Sequence, residues 1–410
     1  MLSPYRKPSG KGAVRMGRMN ARRKKTFPQW LREKRWAILI LGAAALLFFV
    51  VGLLARTEPA DQIQAEDYSE YETGRILEIL SDTTEPDPSS DGAARGEQLL
   101  LVEVTSGQYR GRELEAYNYV SPLYGVPLQE GNGVTLLIST YGDGTVIANV
   151  FEYNREPAIL IVLALFLVVT VLVGGKTGAK SLLGLLITLA CLFWILIPLL
   201  MKGAPMLLTV FLVCAYVTVV CFVILGGVCR KTACAMLGTV LGLAIALLFG
   251  LFAQAIAKID GLRITDVEPL LQLRHQGTPL ELRGLLVAGI LISTLGAVMD
   301  VAMSLSSALS EVHAVNPALN RRQLFRSGMN IGRDMVGTMT NTLILAFLGS
   351  SFTLILYLYS IGLSRHQLFS SSYLALEVIS GISSSIGVIL AVPITALVSS
   401  VLLTGAKPKE

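Results

Sequence analysis

Apolar residues along this chain fall into long unbroken runs joined by short polar links, with one region of strict alternation set between the first two runs. Runs at 36–54, 157–173, 181–200, 205–227, 233–257, 284–308, 335–360 and 374–402 are each about as long as a helix needs to cross roughly 30 Å of hydrocarbon. They predict eight spanning helices. Between 57 and 156 the period shortens to two, and strand-like runs appear at 72–80, 98–106, 112–120, 133–140 and 145–153. Turn-formers separate them: Gly107, Gly111, Gly131 to Gly133, and the Asp143-Gly144 pair, a good hairpin signal. The stretch 81–95, polar and broken by Pro86 and Pro88, reads as a long loop. The expected fold is an α-helical polytopic membrane protein of about eight spans, carrying a small extracytoplasmic β-domain of OB-like kind.

Polar residues inside the apolar runs are the next signal. Wound at about 100° per residue, Ser293, Gly296, Asp300, Ser304, Ser307 and Glu311 share one stripe of their helix. Asn330, Arg333, Asp334, Gly337 and Asn341 do the same on the next, with Thr338 beside them. A carboxylate at mid-membrane costs about 2.5–3.5 kcal/mol on insertion scales, so it turns towards a partner or a wet cavity. The two stripes therefore predict a hydrated seam between neighbouring helices. Small residues such as Ser293 and Ser304 also serve as ordinary packing between spanning helices. Glu377 opens the last run, with Ser380, Gly381 and Ser384 on its face. The small residues of 381–387, followed by Pro393, predict a weakened or kinked helix there.

Charge orients the whole. Residues 1–35 hold twelve Lys and Arg against Glu33 alone, whereas 57–156 hold nineteen Asp and Glu against five Arg. The basic arm 1–35 reads as a disordered cytoplasmic anchor attracted to anionic lipid, followed by a signal-anchor helix at 36–54. The acidic domain 57–156 belongs on the other side and repels nucleic-acid phosphate. Each short loop expected inside carries Lys or Arg: Lys176 and Lys180, Arg230 and Lys231, Arg321, Arg322 and Arg326. The membrane domain is expected over 157–403, with 404–410 as a cytoplasmic tail, so both termini lie inside a bacterial plasma membrane. All five cysteines lie in or beside apolar runs, and none falls in the acidic domain, which is built without disulfides. No metal-ligand spacing, nucleotide loop or hydrolase motif appears, so no enzyme activity, metal or cofactor is expected.

Two stretches are distinctive enough to suggest kinship. The run LRGLLVAGILISTLGAVMDVAMSLSSALSEV (282–312), followed by GMNIGRDMVGTMTNTLILAFLG (328–349), resembles the YibE/F family of bacterial multispanning proteins. Asp300, Ser304, Asn330, Arg333, Asp334, Thr338 and Asn341 match its motif. The resemblance implies a membrane protein of transport type with no defined substrate.

These observations lead to an expected ion-coupled secondary transporter or exporter. Asp300, Ser304, Ser307, Glu311, Asn330, Arg333, Asp334, Thr338, Asn341 and Glu377 are its candidate ion- or substrate-binding residues. Its expected partners are the bilayer, a small molecule or ion, and a partner membrane protein or a second copy. The competing expectation is a non-transporting scaffold or sensor whose outer β-domain binds a ligand.

Overall fold

The computed structural model describes residues 27–55, 68–142, 144–263 and 267–404. Most of the basic arm, Asp143 and the C-terminal tail beyond 404 lie outside them. A helix, α1 (Phe27–Ala55), precedes six strands: β1 (Tyr68–Asp82), β2 (Glu85–Pro86), β3 (Ala94–Val104), β4 (Glu113–Val120), β5 (Gly133–Thr140) and β6 (Val146–Tyr153). Inward positions alternate with outward ones along β4 and β5, as the period-two pattern predicts. The inward set, including Ile76, Leu100, Val102, Leu136 and Ile138, forms a closed apolar core.

The strands run in the order β1-β5-β6-β4-β3, and β1 also pairs with β3, which closes a five-stranded barrel. The β4–β6 pair is parallel; the others are antiparallel. Closure turns on Gly74, the residue of β1 that pairs with Val104 of β3 on one side and Val134 of β5 on the other. A Cβ there would lie 2.6 Å from Val102 and 2.9 Å from Leu136, so only glycine lets the strand curl at this point. Buried amides seal one end of the barrel. Asn118 Nδ2 donates to Gln98 Oε1 at 2.9 Å, and the Leu128 backbone N–H donates to the same oxygen at 2.9 Å. Leu128, almost fully buried, plugs the core beneath them. β1 extends beyond the expected strand at both ends and β3 begins four residues before it, and a two-residue strand, β2, lies within the stretch read as loop.

Only Asn154 and Arg155 separate β6 from α2 (Glu156–Cys191), which a π-helical turn continues into α3 (Ile197–Met201). Then follow α4 (Met206–Gly226), α5 (Arg230–Ala257), the short α6 (Glu268–His275) and α7 (Leu285–Val315). The chain ends with α8 (Arg321–Ser350), α9 (Phe352–Ser360), α10 (Arg365–Ser370) and α11 (Ser372–Thr404). Among the described residues, five helical segments are long and apolar enough to cross a membrane, or six if α8 and α9 count as one bent pair. Within α1 the apolar part, Ala37–Leu53, is shorter.

The expected spans 157–173 and 181–200 run together as one segment, Glu156–Met201, because helical backbone resumes immediately after Gly175. That glycine itself is non-helical (φ 53°, ψ −135°). Gly178 packs against the Thr170 carbonyl, although eight residues of straight helix would hold them about 12 Å apart. The chain therefore doubles back at Gly175. No side chain from Glu156 to Thr177 is buried, whereas Gly178, Leu182 and Gly184 beyond the turn are.

The helical body is centred on α5, α7 and α11, which meet through small residues. Gly242 of α5 would place a Cβ 2.9 Å from Ala391 of α11 and 3.0 Å from Val298 of α7. Gly387 of α11 is equally tight on Ala246 of α5, at 2.7 Å. Such contacts let helix backbones approach closely. The α8 helix leans on α11 by the same device, with Gly332 against Val392 and Gly328 against Ala396.

Candidate functional site

The first third of α11 is where polar side chains and open space coincide. Its small residues let neighbours close in: a Cβ on Gly381 would lie 3.5 Å from Phe347 of α8, and Ser384 Oγ is 3.3 Å from Ser293 Oγ of α7. Opposite them the apolar run 335–360 is not one straight helix. It breaks at Ser350–Ser351, and α8 and α9 diverge by 60°. The cause is local. Gly349, Ser350 and Ser351 follow one another, and such small pairs are where helices kink. Ser350 Oγ turns back to donate to the Phe347 carbonyl at 2.8 Å, while Ser351 Oγ is buried and has no partner.

Two cavities flank Phe347. One, of about 240 Å³, lies between α7, α8 and α11, and Ser293, Ser350, Tyr373, Glu377 and Ser380 give it a polar lining. The other, of about 280 Å³, lies between α8, α9 and α11, and its wall is aliphatic: Ile344, Leu348, Leu354, Ile355 and Val378. Phe347 and Glu377 belong to both, Glu377 meeting the aliphatic one with its carbon stem alone. Glu377 is half-buried, and among the described residues its carboxylate has no hydrogen bond or ion pair. It is the only ionisable side chain, tyrosine aside, on either wall. Among the described residues no three His, Cys, Asp or Glu side chains gather closely enough to hold a metal. A lone carboxylate amid hydroxyls instead suits a monovalent cation, a proton or a protonated amine.

Of the residues singled out by the sequence, the structure brings Glu377, Ser293, Ser380 and Gly381 into this site, with Ser384 beside Ser293. The others lie elsewhere. Asp300, Ser304 and Glu311 are exposed along α7, and Ser307 is half-buried. Asn330, Arg333, Asp334, Thr338 and Asn341 lie on the exposed face of α8, away from the Gly328 and Gly332 seam with α11. None of these nine lines either cavity. Thr338 Oγ1 donates to the Met335 carbonyl of its own helix at 3.1 Å, and Arg333 pairs with no acid among the described residues. Phe347, Ser350, Ser351 and Tyr373 did not stand out in the sequence. The run of three small residues at 349–351 was the available signal for the break.

Neither the curated proteins nor the solved structures contain a match to this chain. A family model described as YibE/F-like protein matches residues 162–405, which takes in every helix from the body of α2 to the end of α11 and both cavities. The match covers more than half of the sequence, and it includes the α7 and α8 runs whose acids and amides first suggested it. The chain belongs to the YibE/F-like family.

Proposed function

We propose that this protein is an ion-coupled secondary transporter or exporter of a bacterial plasma membrane. The groove bounded by α7, the α8–α9 break and α11 is its substrate pathway. On this reading the chain crosses eight times, with α1 and each half of the α2–α3 segment as spans, both termini in the cytoplasm and the barrel outside. The supporting observation is Glu377: an unpaired carboxylate beside a broken helix, at the junction of two cavities. Broken helices free backbone groups at membrane depth, and transporters use such places to bind ions and substrates. Asp300 lies seven residues along α7 from Ser293, about 10 Å of helix, and Asp334 faces outward on α8. In this scheme both acids bind the coupling ion or proton once the groove opens inward, with Arg333 as counter-charge.

The test is flux in proteoliposomes driven by a proton or sodium gradient. Glu377→Gln and Asp300→Asn should each reduce gradient-dependent flux at least tenfold while the protein still inserts and purifies as a single species. Unchanged flux and ion dependence in both would remove the proposal.

A second reading has its own observation. The barrel carries exposed aromatic pairs, Tyr71 with Phe151 (ring centroids 5.0 Å apart) and Tyr117 with Tyr119 (6.3 Å). Its strand order also suits an OB-like binding barrel, so a sensor or scaffold with an outer ligand is the alternative. Removing 57–156 discriminates between them. A transporter keeps flux in altered form, and a sensor loses all response.

A further inference from the structure

The two cavities at Glu377 differ in chemistry, and together they describe a ligand. The compartment between α7, α8 and α11 offers serine hydroxyls, Tyr373 and one carboxylate. The compartment across Phe347, between α8, α9 and α11, offers aliphatic carbon. Its rim residues Ile344, Leu348 and Val378 are 40%, 48% and 47% exposed, so it opens sideways onto the apolar flank of the helices. Glu377 is the sixth residue of α11, near the end of the helix that follows the α9–α10 connection. At that depth a spanning helix sets its polar groups at headgroup level and its aliphatic groups in the hydrocarbon.

We infer that this site takes an amphipathic cation, an apolar body carrying one positive charge, with the charge against Glu377 and the body in the aliphatic compartment beyond Phe347. The inference rests on the transport reading for its role, but the ligand class follows from the walls alone. An anion would meet an unpaired carboxylate with no cationic side chain on either wall. A small hydrated cation would leave the aliphatic compartment unused. A neutral apolar molecule would gain nothing from Glu377. An amphipathic cation satisfies both halves, since a half-buried carboxylate is screened less by water than a fully exposed one. The aromatic face of Phe347, which belongs to both cavities, also suits a positive charge at their boundary.

Equilibrium binding to the full-length protein in zwitterionic lipid nanodiscs tests this, with two probes of the same shape and opposite charge, tetraphenylphosphonium and tetraphenylborate. Protein-free discs give the background. Saturable phosphonium binding is expected, with borate no higher than background. Glu377→Gln should weaken phosphonium binding at least tenfold, and Glu377→Asp should restore part of the loss. Val378→Trp, which fills the aliphatic compartment and leaves Glu377 in place, should weaken it about as much. Tetramethylammonium, a charge without the body, should compete at least a hundredfold less well. Equal binding of borate, unchanged binding in Glu377→Gln, or equal competition by tetramethylammonium would each overturn the inference. The variants are compared only where their elution profile and thermal midpoint match the parent. Glu377→Asp supplies the reading if Glu377→Gln does not fold. Binding without flux in proteoliposomes sinks the transport reading and leaves the ligand class standing. Flux without charge selectivity does the reverse.

Discussion

The barrel ties its buried amides into one network, whereas the helical body bonds its buried hydroxyls singly or leaves them without a partner. In the barrel, Gln98 and Asn118 are almost wholly buried and fully engaged: Gln98 bonds Asp82, Asn118 and both backbone groups of Leu128, and Asn118 also reaches the Val126 carbonyl. In the helical body, Thr218, Thr294, Ser306 and Ser385 each donate to a carbonyl of their own helix, while Thr239, Ser351, Ser383 and Thr395 are buried with hydroxyls that have no partner. A satisfied buried network fixes one arrangement, because every alternative orphans several groups at once. Hydroxyls held on close-packed helix faces without commitments impose no such penalty when the helices shift. Ser383 and Thr395 lie on α11, which carries Glu377, Thr239 lies on α5 packed against it, and Ser351 borders the aliphatic cavity. The barrel's buried amides are committed to one another, and these four hydroxyls around α11 are committed to nothing.

That contrast can be broken most forcefully at Gln98. Gln98→Leu strands the Leu128 amide and carbonyl, and should cost about 2–4 kcal/mol. Hydrogen exchange in the full-length protein reads the loss as faster exchange of the β3, β4 and Leu128 amides, with α11 unaffected. Next comes helix contact. Gly242→Leu drives a side chain into Ala391 and Val298, and should cost about 1–3 kcal/mol, read as a lower thermal midpoint in detergent.

A smaller effect is expected at Asp82. Hydrogen bonds from the Thr84 side chain and backbone, then from Gln98, hold its carboxyl below the usual range. A depressed folded pKa contributes stability above the unfolded value near 4 and loses it as pH falls through the folded one. Asp82→Ala should therefore cost about 0.5 kcal/mol at neutral pH, given its exposure, and nothing in strong acid. A chemical-denaturation series across pH checks the sign. Smallest of all, Thr395→Val replaces a hydroxyl that bonds to nothing and should change stability by less than about 0.5 kcal/mol. A loss as large as that of Gln98→Leu would show that Thr395 is not idle, and the contrast would fail.

Much of this architecture was legible in the sequence, and what was missed has physical reasons. Alternation identified β4 and β5 because each buries one face. It could not reveal that β1 closes the barrel, since that depends on Gly74 meeting two strands distant in sequence. Periodicity found the stripes through Asp300 and Asp334, because it fixes which residues share a side of a helix. It does not fix what that side faces. Gly328 and Gly332 turn α8 so that Asp334 points away from α11, and that choice is made by packing. Glu377 stood out as a charge in an apolar run. Phe347 did not, because a phenylalanine among leucines becomes distinctive only once α8 and α9 part at Ser350–Ser351.

The junction between strand and helix has a mechanical consequence. The Asn154 backbone N–H donates to the Gly133 carbonyl of β5, its side-chain oxygen accepts from the Glu156 N–H at 3.0 Å, and Arg155 pairs with Glu152 at 2.7 Å. The last strand, paired on both sides within the barrel, therefore passes into α2 through two bonded residues, and the first half of α2, with no buried side chain, runs to the turn at Gly175. The barrel is thereby fastened to the start of a helix that extends some 28 Å along its axis to that glycine, beyond which Gly184 approaches Cys221 of α4.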